Sequence, residues 1–243
     1  MKKELIVSND YELTKIALLE DGRLCELHEE EDKNDFVVGD LFLGKVKKLA
    51  PNLNAVFVNI GYDKDAFLHY QDLGPQYLTY KKFLKDTLSK KQSTSSLKNF
   101  EIQPEIDKNG TVDKTIAKDD VILLQITKEP ISTKGPRIST QISLTGRFLV
   151  LIPFDNKVSI SKKIKNSEEK ERLRTLIDSI KPEGFGVIIR TVAEGKKVAD
   201  LHNDMNQLIQ KWESTFKNIQ KNKIPSKVLS EDDKASAILR DNF

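Results

Sequence analysis

Phe57 and Phe67 lie in the stretch Leu41–Leu68, LFLGKVKKLAPNLNAVFVNIGYDKDAFL, next to the cations Lys45, Lys47 and Lys48. Aromatic rings on short strands beside lysines can stack nucleobases while the ammonium groups hold phosphates. The same rings also suit the interior of a small barrel, since apolar strand residues are commonly core. A second candidate is Arg190-Thr191, which follows the apolar run Val187–Ile189 and precedes Ala193-Glu194-Gly195 and a helix. A guanidinium can grip a phosphate through two parallel N–H bonds, a hydroxyl adds another, and the next helix offers N–H groups. The alternative is a strand-end arginine paired with a carboxylate such as Glu194. A further basic group, Lys128, Lys134 and Arg137 in TKEPISTKGPRIST, is turned by Gly135 and Pro136 so that its cations would flank the aromatics. Lys162, Lys163 and Lys165 read as solvated.

Reactive constellations are scarce. Asp63 and Asp65 alternate across Lys64, and Asp119-Asp120 precede a strand, but neither pair has a neighbouring histidine or an apolar cage for acid–base or metal work. There is no phosphate-cradling glycine loop, nucleophile elbow, His-Glu-x-x-His or Cys-x-x-Cys. This pattern is that of a chain that binds rather than reacts.

The elements that must carry these residues are mostly short strands. Residues 3–9 and a hairpin of Leu13–Leu19 with Arg23–His28 around Asp21-Gly22 come first, closed by an acidic loop, Glu29–Asp35. Leu43, Lys45 and Lys47 alternate with Gly44, Val46 and Lys48, and Ala55–Asn59 alternates again. With Val121–Ile126 these strands predict a small barrel of the five-stranded OB type. Between them, Tyr77–Lys91 has helical spacing and Gln92–Lys118 reads as a polar, mobile loop. Ile138–Ser143 and Phe148–Pro153 predict a strand pair joined through Gly146, followed by a short strand, Lys157–Ile160. A helix capped by Asn166, a strand at Gly186–Thr191 and a long helix at about Lys197–Asn222 come next, the last burying Leu201, Met205, Leu208 and Trp212. A last helix signal begins after Ser230, and the chain reads as a fold that stops before its partner elements.

The 243 residues carry a formal net charge of only +3, yet the charge is unevenly spread. Residues 1–37 hold five Lys/Arg against eleven Asp/Glu, whereas residues 128–165 hold eight against two. Such a basic stretch inside a nearly neutral chain points to a local anionic partner. The single cysteine, Cys25, excludes an internal disulfide and fits a reducing cytoplasm, and His28, His69 and His202 have no metal-ligand spacing. No apolar run is long enough for a signal peptide or a membrane span.

Nearly end to end, the chain resembles the N-terminal half of bacterial ribonucleases of the E/G family, and is ribonuclease G-like. The likeness rests on LTKIALLEDGRLCEL, LGKVKKLAPNLNAVFVNIGYDKDAFL, KGPRISTQISLTGRFLVLIP and GFGVIIRT before the Trp212 helix. It implies an α+β fold in which an OB-type five-stranded RNA-binding barrel, residues 38–137 with an insertion at 72–117, interrupts a ribonuclease-H-like fold whose first segment is 1–37. An α/β 5′-sensor region would follow at 138–225, then the start of the returning ribonuclease-H-like segment at 226–243. The resemblance assigns Phe57, Phe67, Lys128 and Lys134 to RNA. It assigns Arg190, Thr191, Gly146 and Val150 to a 5′ phosphate, with a backbone N–H completing the cradle.

The partner it implies is single-stranded RNA, preferably with a 5′ monophosphate, and the full-length protein would be a homo-oligomeric, metal-dependent endoribonuclease of RNA processing and decay. The aspartates that hold Mg²⁺ and the cysteine pair that holds structural Zn²⁺ belong to the part beyond this chain, so no cofactor is expected here. A stand-alone RNA-binding adaptor without nuclease activity is the competing expectation.

Overall fold

Asp21 and Gly22 take φ of +48° and +77°, the left-handed pair that a tight hairpin turn requires. They fold the first segment into an antiparallel sheet of β1 (Lys3–Asp10), β2 (Leu13–Glu20) and β3 (Arg23–Glu31), in that order. The computed structural model describes residues 2–10, 13–31, 36–221, 223–232 and 234–242. The expected acidic loop Glu29–Asp35 begins inside β3, and its remainder lies outside the described residues.

A closed barrel follows. It is built from β4 (Leu41–Ala50), β5 (Ala55–Asn59), β6 (Ala66–His69) and, after α1 (Tyr77–Leu88) and α2 (Val112–Thr115), from β7 (Val121–Lys128) and β8 (Arg137–Ser139). The order is β4-β5-β6-β8-β7, with β6 and β8 parallel and β7 pairing back onto β4. A five-stranded closure of this kind is consistent with an OB-type barrel. Its interior is filled by Val46, Val56, Val58, Ala66, Leu68, Leu124 and Ile138.

The third unit contains β9 (Leu144–Thr145), β10 (Leu149–Pro153), β11 (Val158–Ile160), α3 (Ser167–Ile180), β12 (Phe185–Ile189) and α4 (Val198–Lys221). Its sheet runs β11-β12-β10-β9. β13 (Ser226–Leu229) returns to pair with the start of β4, and α5 (Lys234–Asn242) ends the described chain. Leu41, Leu43 and Leu123 of the barrel face a second core with Trp212, Phe83, Phe154 and Leu208, so barrel and third unit share a wall. Trp212 is buried, stacks on Phe83 at 5.5 Å, and donates Nε1–H to the Ser95 carbonyl at 2.8 Å.

Two expectations are corrected. Ile138–Ser143 is not one strand paired with the next: β8 closes the barrel, and it is the following β9, Leu144–Thr145, that pairs with β10. The polar residues between them bond elsewhere. Ser139 Oγ and Thr140 N donate to the Asp72 carbonyl, and Ser143 N donates to the Gln125 side chain, so the chain crosses from one sheet to the other. Nor does Gln92–Lys118 hang free as a polar loop. Leu97, Val112 and Ile116 are buried, Tyr70 Oη donates to Asp107 O, and the Asn54 amide bonds both Gly110 O and Val112 N. These apolar residues are too widely and irregularly spaced to show a period.

Candidate nucleic-acid interface

β5 and β6 alternate as their sequences require. Val56, Val58, Ala66 and Leu68 fill the barrel, while Phe57 and Phe67 emerge half-buried on the outer face, directly opposite each other. Their rings touch edge to face, with centroids 5.8 Å apart. Strict alternation would put Lys48 with the buried Val46. A register shift between Val46 and Lys48 turns it outward instead, opposite Phe57. Phe67 pairs with Arg137, and Arg137 with Lys128. One row of side chains therefore crosses all five barrel strands: Lys48, Phe57, Phe67, Arg137, Lys128.

Beside this row lies a cavity of about 720 Å³ lined by Phe57, Phe67, Lys64, Lys128, Lys134 and Arg137, among others. The predicted RNA contacts Phe57, Phe67, Lys128 and Lys134 are thus brought together, and Arg137 and Lys64 join them. Arg137 is fixed by Asp72, which accepts from Nε at 2.9 Å and lies 2.8 Å from Nη2. Two acids, Asp65 and Glu129, line it as well, and Asp65 is paired with Lys47 at 3.1 Å. Cations thus dominate the rim.

The second candidate group sits at the turn between β9 and β10. Arg190 follows β12, and its Nη1 donates to Gly146 O at 2.8 Å and Arg147 O at 3.1 Å. Val150 pairs with both Thr145 and Ile188. Thr191 Oγ1 lies 2.8 Å from Ser161 Oγ. Of the four residues predicted for the phosphate, Arg190, Gly146 and Val150 therefore lie around one turn, and Thr191, next in sequence to Arg190, directs its hydroxyl to Ser161. Arg147 and Lys196 stand 5.3 Å and 5.6 Å from the Phe148 ring, adding positive charge.

The first N–H groups of this turn are engaged within the protein. Gly146 N–H donates to Leu149 O at 2.8 Å. The N–H groups of Arg147, Phe148 and Leu149 all donate to the carboxylate of Asp204 at 2.9 Å. Asp204 projects from α4, buried among Leu201, Met205 and Leu208. A Cβ at position 146 would meet its oxygens at 2.7 Å, which is why the turn needs glycine there. Sequence reasoning missed Asp204. Its signal was an aspartate on the apolar stripe of the long helix.

The long helix begins where the sequence places it, just after Lys197. Gly195 N donates to Glu169 Oε1 at 2.8 Å, and α4 starts at Val198, with Lys197 N bonded to Asp200. Asn166 caps α3 as predicted, accepting from Glu168 N and Glu169 N. Glu169 itself turns to Arg172 and Gly195. Hydrogen bonds from Arg172 first, then from Gly195 N–H, hold its carboxyl down to about 2.

Among the described residues, no group of three or more His, Cys, Asp or Glu is arranged to hold a metal ion. Asp119 and Asp120 are paired with Lys45 and Lys81. No helix among the described residues is long and apolar enough to cross a membrane.

Fold and site together define a mixed α+β protein built on a closed five-stranded barrel, with an aromatic and cationic row on the barrel's outer face. Residues 143–243 match the Ribonuclease E/G family. The whole chain is 31% identical to Ribonuclease E of Nostoc sp. over 244 residues, which is 31% of that protein's length. It is 31% identical to Ribonuclease G of Haemophilus influenzae and 30% identical to that of Escherichia coli, covering 98% and 99% of this chain and 45% of each relative. The chain is thus similar to ribonucleases E and G over nearly its whole length, and it spans less than half the length of these curated relatives.

Proposed function

We propose that this chain is the RNA-binding and 5′-monophosphate-sensing part of a single-strand-specific endoribonuclease of RNA processing and decay. The observation that carries the reading is the row Lys48, Phe57, Phe67, Arg137, Lys128, which offers ring faces to bases and cations to the phosphates on either side. The Arg190 turn supports the second half of it. Arg190 and Thr191 would take the terminal phosphate through side chains, since the N–H groups of residues 146–149 are bonded within the protein. On this reading β1–β3 are the first segment of a ribonuclease-H-like fold. Cleavage, with its Mg²⁺, and Zn²⁺-linked homo-oligomer assembly would belong to other segments of a longer cytoplasmic enzyme.

The test is to measure binding of one short single-stranded RNA bearing a 5′ monophosphate, a 5′ hydroxyl or a 5′ triphosphate. The monophosphate is expected to bind best, and Arg190→Ala is expected to lose about 1.5–3 kcal/mol of that preference. Equal affinity for all three RNAs in the unaltered chain would remove the sensor from this account.

A further inference from the structure

Ile131 and Leu53 are 69% and 57% exposed, and Ile131 is the most exposed large apolar side chain among the described residues. Scattered apolar side chains on a surface need no explanation. These two, however, line the same cavity as Phe57 and Phe67. Ile131 is also held in place. It exchanges both backbone hydrogen bonds with Lys134, at 3.2 Å and 2.9 Å, closing a tight hairpin whose Ser132 takes φ +50°. Lys64 Nζ donates to the Ser132 carbonyl, tying the tip of the hairpin to the loop between β5 and β6. At the base of the hairpin, Gly135 packs so closely that a Cβ would stand 2.1 Å from Asp65 O, and Phe67 N donates to Pro136 O at 2.9 Å.

We propose that the Ile131–Lys134 hairpin is a second wall of the RNA site, with Ile131 covering an unpaired base stacked on Phe57 and Phe67 and Leu53 extending the same apolar lining. The inference rests on the RNA-binding reading of the barrel. Its occupant follows from the chemistry of the lining. Apolar side chains suit a flat base, while Lys64, Lys128 and Lys134 on the same cavity suit the phosphates attached to it. Bases paired in a duplex offer no free face to such a cleft. The wall is anchored before RNA arrives, so little ordering cost opposes binding.

The experiment compares the unaltered chain, Ile131→Ser, Ile131→Leu and Phe57→Ala by fluorescence anisotropy. The ligands are a 5′-hydroxyl single-stranded RNA and an abasic oligonucleotide of equal length and charge. Ile131→Ser is expected to weaken RNA binding roughly fivefold, to leave the abasic ligand unchanged, and to be rescued by Ile131→Leu. Because the side chain is exposed, its loss leaves the melting temperature unchanged. If Phe57→Ala weakens RNA and Ile131→Ser does not, the hairpin is no wall although the platform stands. If neither variant matters and the abasic ligand binds as tightly as RNA, the barrel reading fails and this inference with it.

Discussion

Replacing both Phe57 and Phe67 by alanine is expected to weaken binding of single-stranded RNA by about 2–4 kcal/mol, whatever its 5′ end. Each base stacked on an aromatic ring contributes roughly 1–3 kcal/mol. The two rings touch at 5.8 Å and would share a base, so the double substitution should cost less than the sum of the single ones. The fold should survive, because both rings lie half-buried on the outer face and neither belongs to the barrel core. Titration of the single and double variants, with a thermal melt of each, separates loss of binding from loss of structure. A double variant that melts normally and binds as before would show that the rings serve packing alone.

Asp204→Ala is expected to destabilise the chain by about 2–4 kcal/mol. The substitution strips three backbone N–H groups of their acceptor, two of them at buried positions, and each buried orphan costs roughly 1–3 kcal/mol. Relief of a buried carboxylate's desolvation offsets part of this. Asp204→Asn should lose less, since its single oxygen can still serve Phe148 and Leu149. The carbonyls of Gly146 and Arg147 anchor Arg190, so loosening this turn should also erode the 5′-monophosphate preference while leaving RNA binding on the barrel intact. Urea unfolding gives the first effect and the ratio of monophosphate to hydroxyl affinity the second. An Asp204→Ala midpoint equal to that of the unaltered chain would mean that water replaces the carboxylate and the turn holds itself.

The barrel strands were legible because alternation is a strong local signal, and Val56, Phe57 and Val58 obey it without exception. Alternation could not reveal the irregularity before Lys48, which puts that lysine beside Phe57, since a bulge depends on the partner strand. The segment after Ile138 was misread for a related reason. Its apolar residues keep a strand-like rhythm while the chain changes sheets, and the change is made by Ser139 and Thr140 donating to the Asp72 carbonyl and Ser143 to the Gln125 side chain of β7. At the Arg190 turn, Arg190 and Gly146 are in contact. Asp204, which orders the turn, lies 54 residues beyond Val150, on a helix whose apolar stripe masked it. Ile131 was likewise invisible, because its meaning comes from the cavity it shares with two phenylalanines far away in sequence.

The central claim, that bases lie along the row from Lys48 to Lys128 with the 5′ end at the Arg190 turn, is tested most directly by photocrosslinking. A 5′-monophosphorylated single-stranded RNA carrying 4-thiouridine at successive positions would be irradiated on the chain and the modified peptides sequenced. Internal positions are predicted to crosslink to peptides containing Phe57, Phe67 and residues 128–137, and the first position to peptides around residues 146–150 and 190–191. Crosslinks confined to β1–β3 or to the outer face of α3, with none on the barrel row, would contradict the account.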